Sequence, residues 1–146
     1  MRLRGWIAIC AAAAGCAVPL RDADVAYRVD GDAIRERLLP SPGDAARGKA
    51  VVAARDSNCL LCHTVPDAGV RFMGNVGPPL SGVGGRLTEG QLRLRIVDSM
   101  QLNRETIMPS YYRVNGLNQV AEEWRGKSVL TAQQVEDVVT YLLTLH

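Results

Sequence analysis

Asn58-Cys59-Leu60-Leu61-Cys62-His63 decides how the rest of this chain is read. Cysteines three positions apart lie about one helical turn apart, on one side of the backbone. A histidine follows the second cysteine directly. In that order two thiols can add across the two vinyl groups of a haem, and the imidazole can bind iron beneath the ring. A thioredoxin-like redox pair would need a βαβ setting, and the flanks here read as helix and loop. A zinc site would need further ligands at suitable spacing, but the one other histidine is His146 and no second close cysteine pair exists. The expectation is a single covalent c-type haem held by Cys59 and Cys62, with His63 on the iron.

The second axial ligand decides what such a haem can do. The candidates are Met73, Met100, Met108 and His146. Met108 is preferred because Pro109 follows it, which stops a helix from forming there and lets a loop aim the thioether. Met73 is ten residues past His63, a short path to the other ring face. Met100 continues a helix and reads as packing. Histidine with methionine fills the coordination sphere and raises the potential, which favours electron transfer over chemistry at the metal. Val76-Gly77-Pro78-Pro79-Leu80 is expected beside His63, with a backbone carbonyl accepting the imidazole Nδ1–H.

Working outward, the flanks read as an all-α domain over residues 43–146 with long loops. Asp44 can cap a helix through about Ala54. Thr88 with Gln91, and Thr131 with Gln134, are capping boxes. The first opens a middle helix that turns Leu92, Ile96 and Val97 inward. The second opens the clearest helix, with Val135, Val138, Val139, Leu142 and Leu143 at helical spacing. The first and last helices are expected to cross, with Gly48 allowing close approach. Residues 64–86 and 101–127 read as loop.

Residues 1–16 read as an export signal: Arg2 and Arg4, then an apolar run too short to span a bilayer. Ala13-Ala14-Gly15-Cys16 resembles a lipobox, making Cys16 a candidate lipid anchor, and cleavage after Ala17 also fits. Residues 17–42 read as a charged N-terminal extension, with a short helix around 33–39 and a surface for a partner. The 17 basic and 15 acidic residues become balanced once Arg2 and Arg4 are removed. No basic stripe argues for nucleic acid. Only 5% of the chain is aromatic, so a bulky apolar ligand would help build the core.

Gly43–Lys49, Asn58–His63, Gly77–Gly84, Ile107-Met-Pro-Ser-Tyr-Tyr-Arg113 and Leu130–Leu142 together resemble the SoxX family of monohaem cytochromes c. The resemblance covers about residues 25–146. It implies a cytochrome c-like fold, with Cys59, Cys62, His63 and Met108 at the family's haem positions and no catalytic residue in this chain. It implies a periplasmic heterodimer with a SoxA-like subunit. That subunit would hold the site where thiosulfate is oxidatively joined to a cysteine of the carrier SoxY, and electrons would pass on to a downstream acceptor cytochrome. A soluble subunit is what the family implies, so the lipobox is a departure. The alternative is a stand-alone electron-carrier cytochrome with no sulfur role.

Overall fold

The computed structural model describes residues 25–146, and the export signal with Cys16 lies outside them. Five α-helices follow in order: α1 Ala45–Ala53, α2 Cys59–Cys62, α3 Val83–Arg86, α4 Glu89–Asp98 and α5 Ala132–Leu143. Short 3-10 turns sit at Ser99–Gln101 and Glu122–Trp124. The architecture is all-α, as the patterning predicts. Among the described residues the only β feature is an isolated bridge between Asp30 and Ala33. No helix among them is long and apolar enough to cross a membrane.

The helix ends form for the expected reasons. The Asp44 side chain accepts from the Arg47 amide, satisfying a donor the helix leaves open. Both capping boxes close, Thr88 with Gln91 and Thr131 with Gln134. The short α3 is missed by the sequence reading, because Val83-Gly84-Gly85-Arg86 carries two glycines and only four residues.

α1 packs against α5, and Gly48 is what permits it. A Cβ at Gly48 would stand 2.0 Å from the Asp137 carbonyl oxygen, so no larger residue fits without separating the helices. α5 turns Val135, Val138, Val139 and Leu142 inward, none more than 6% exposed. Two carboxylates of α5 are also buried. Asp137 receives both ends of the Arg47 guanidinium at 2.7 Å and the Asp44 amide at 2.8 Å. Glu136 receives Arg93 Nε and Nη2, both at 2.8 Å, and the Leu38 amide at 2.9 Å. These charges are tolerated because each is met by a guanidinium and a backbone donor.

The segment before the domain departs from expectation. No helix forms over 33–39; the chain runs as a strap with only a turn and the bridge. Ile34 and Leu38 are buried in the core, and Val25, Tyr27, Val29 and Leu39 pack against it. The Ile34 amide donates to the Gly90 carbonyl, and the Ile34 carbonyl accepts from Arg93. Pairing with α4 and α5 therefore replaces the i→i−4 bonds of a helix. The charged residues Arg28, Arg35 and Glu36 remain exposed.

Candidate haem site

α2 is one turn of helix launched by a sharp bend. Asn58 adopts φ +54°, a left-handed conformation that asparagine tolerates better than most residues. The turn closes where the His63 amide donates to the Cys59 carbonyl at 3.0 Å. Cys59 and Cys62 are not joined in a disulfide.

The loop after α2 folds back on itself. Gly74 donates to the Leu60 carbonyl and Gly77 to the Cys62 carbonyl, both at 2.8 Å. That brings Pro78 to His63, whose Nδ1 is 2.7 Å from the Pro78 carbonyl oxygen. The carbonyl can only accept, so Nδ1 carries the proton and Nε2 is left as the donor atom for a metal. A Cβ at Gly77 would stand 2.5 Å from the imidazole Cε1, which makes glycine necessary beside the ring.

These residues form one wall of a cavity of about 620 Å³, within the size range of small-molecule and cofactor sites. Cys59, Cys62, His63 and Met108 all line it. Its other walls are mainly apolar, from Val52, Leu92, Ile96, Leu130, Val138 and Leu142. Met73 and Met100 are not among the lining residues. Met73 Sδ accepts from the Val65 amide at 3.3 Å, and Met100 is exposed beside Arg113. His146 does not line the cavity either. The structure thus brings together the four predicted site residues and leaves the other candidates outside.

The sequence reading gives Tyr111, Arg86 and Arg95 no role at the cavity, yet all three line it. Tyr111 reaches in and donates its hydroxyl to the Ser57 carbonyl at 2.8 Å; burial holds its pKa far above the usual phenol value. Its position directly after Met-Pro-Ser could have flagged it. Among the described residues, Arg86 and Arg95 are the two guanidinium groups in the lining, and no carboxylate accompanies them. Val76 and Ile107 line the cavity yet are 66% and 75% exposed, so its mouth is apolar.

The donor set fits a covalently attached haem. Two thiols stand one helical turn apart, an oriented imidazole follows, and a thioether shares a largely apolar cavity with them. Comparison with known proteins agrees. The cytochrome c family model matches residues 45–146. A solved structure, SoxXA from P. pantotrophus, is similar at 32% identity with a TM-score of 0.74, covering 86% of this chain and 97% of that one. No curated protein matches by sequence. The family match begins at α1 and runs through every residue that lines the cavity, so this chain belongs to the cytochrome c family, and its likeness there to SoxXA agrees with the SoxX resemblance read from the sequence.

Proposed function

We propose that this chain is the electron-transfer subunit of a periplasmic SoxAX complex. On this reading Cys59 and Cys62 hold one haem by thioether bonds, and His63 and Met108 are its axial ligands. When bound, the haem supplies a one-electron couple whose potential a thioether ligand raises. The protein's residues do the rest. The Pro78 carbonyl fixes the His63 ring and its tautomer, leaving Nε2 for the iron. Pro109 keeps the chain beside Met108 from coiling into helix. Val52, Leu92, Ile96 and Val138 exclude water, while Arg86 and Arg95 suit the two carboxylates that a haem carries. The apolar mouth at Val76 and Ile107 offers a path for electrons that avoids a wide water layer.

The observation that carries the reading is that Met108, alone among the described methionines, lines the same cavity as Cys59, Cys62 and His63. If His63 and Met108 both hold the iron, thiosulfate would find no open position on it. Its oxidative coupling to the cysteine of the carrier protein is therefore assigned to the SoxA-like partner, with this chain passing electrons to a downstream cytochrome. The outward face of the 25–39 strap is the proposed contact with that partner. Cys16 is the candidate lipid anchor.

Acidified acetone should leave the haem on the protein, and colour in the solvent would refute thioether attachment. The ferric protein should show the weak far-red band of a thioether–iron bond. Met108→Ala should abolish it and lower the potential, and Met100→Ala should keep it. Loss of the band in Met100→Ala alone would overturn the ligand assignment. Thiosulfate-dependent haem reduction should need co-expression with the SoxA-like chain. If this chain never co-elutes with such a partner, the stand-alone carrier takes its place.

A further inference from the structure

Met108 sits in a loop that hangs from the last turn of α4. Its backbone is held on both sides. The Met108 amide donates to Thr106 Oγ1 at 3.2 Å, and the Met108 carbonyl accepts from Ser99 Oγ at 2.7 Å. Two residues on, Ser110 Oγ donates to Asp98 Oδ1 at 2.7 Å. Asp98 is the last residue of α4 and is fully buried. Its other oxygen receives Gln101 Nε2 at 3.0 Å and stands in an ion pair with Arg113, 2.7 Å from Nε. The Tyr111 amide then returns to the Ile96 carbonyl at 3.1 Å. From the strap, the Tyr27 ring packs on Tyr112, with centroids 6.2 Å apart. A buried carboxylate carries a desolvation cost that apolar packing would avoid. What it gives in return is direction: two charge-assisted hydrogen bonds and an ion pair that fix one loop geometry.

We infer that Asp98 is the positioning residue of the methionine ligand: it clamps Ser110 and Arg113 so that the thioether of Met108 stays aimed into the cavity. The inference rests on the reading of Met108 as an axial ligand. Thioether is a weak donor, so a loop free to swing away would leave the iron open part of the time. By tying the loop to the rigid end of α4, Asp98 raises the fraction of time the ligand is in place. It acts through Ser110 and Arg113 and does not touch the cavity itself.

The test uses holoprotein variants and two readouts: the far-red band of the ferric form and carbon monoxide binding to the ferrous form. Asp98→Ala is expected to weaken the band and speed carbon monoxide binding roughly tenfold, a loss typical when an outer partner of a metal ligand is removed. Ser110→Ala should move both readouts in the same direction by less. Asp98→Asn, which keeps an acceptor for Ser110, should fall between Asp98→Ala and the unaltered protein. Asp137→Asn disturbs an equally buried carboxylate on the α1–α5 seam, and should leave band and binding rate alone even where melting falls. If Asp98→Ala yields no holoprotein, Ser110→Ala decides alone. Unchanged band and binding rate in Ser110→Ala and in any folded Asp98→Ala would overturn the inference. So would an Asp137→Asn effect as large as theirs. A band that survives in Met108→Ala would instead refute the ligand assignment beneath it.

Discussion

Arg93 has no exposed surface, yet it carries a full charge. Its position explains why. It lies one turn before Val97 on the inward side of α4, where a side chain has no route to water. Glu136 takes its guanidinium side-on, Glu89 takes Nη2, and the Ile34 carbonyl takes Nη1. Removing Glu136 takes away the buried carboxylate and leaves Arg93 only the partly exposed Glu89, a loss of up to about 3–5 kcal/mol by comparison with other buried pairs. Glu136→Leu should therefore destabilise the protein severely. The double variant Arg93→Met, Glu136→Leu should recover much of the loss, because apolar residues of similar volume avoid the desolvation cost. Chemical denaturation of the two variants checks this, and a double variant no more stable than Glu136→Leu would show that the pair is not a closed unit. Neither residue stands out in sequence. A charged residue on an apolar helical stripe is the one available signal, and it does not name the partner.

At the scale of elements, the α1–α5 seam joins a steric condition to an electrostatic one. Gly48 sets the spacing, and Asp137 anchors Arg47 and the start of α1. Burial alone would raise the Asp137 pKa, but the bonds from Arg47, Gln133 and the Asp44 amide outweigh it and hold the carboxyl below its ordinary value. A carboxylate whose folded pKa is depressed adds stability above its unfolded pKa, about 3.9. That stability is lost as pH falls through the folded value. Melting temperature should accordingly be steady with respect to this group from pH 7 to about 5, then drop below about pH 4. Asp137→Asn should melt lower at neutral pH and show a shallower acid decline; an acid decline as steep as that of the unaltered protein would exclude Asp137 as a source. The helices themselves were legible, since capping boxes and apolar spacing are local signals, and so was the cysteine–histidine turn, whose chemistry is written in consecutive residues. The same Gln133-Gln134-Val135-Glu136-Asp137 run that suggested a family carries information of another kind. Gln134 closes the cap, whereas Gln133, Glu136 and Asp137 tie down Pro42, Leu38 and Arg47. Those partners are some 90 residues away, and no local pattern reveals them.

For the whole molecule, the strap over residues 25–39 changes how a partner surface must be sought. As a loose charged tail it could be deleted without harm to the domain. In the structure it contributes Ile34 and Leu38 to the core and gives Arg93 and Glu136 each a backbone partner. Losing one such buried aliphatic side chain typically costs about 2–5 kcal/mol, a large part of the roughly 5–15 kcal/mol that holds a domain together. Deleting the strap would therefore weaken association with a SoxA-like chain merely by unfolding this one. Substitutions on its outer face separate the two effects. Arg35 and Asp30 form an ion pair at 2.6 Å with side chains 71% and 51% exposed, and Arg28 and Glu36 are exposed beside them. Such a surface pair contributes only about 0–1 kcal/mol, so Arg28→Glu with Arg35→Glu should leave melting nearly unchanged. If the outer face meets the partner, the same reversal should slow association most at low salt and shrink its fall with rising salt, because rim charges act chiefly on encounter and salt screens them. Association kinetics at low and moderate ionic strength, run beside melting curves, give the answer. Normal melting with slowed association assigns the face to the interface. Normal melting with unchanged association at both salt concentrations removes the outer face of the strap from the partner surface.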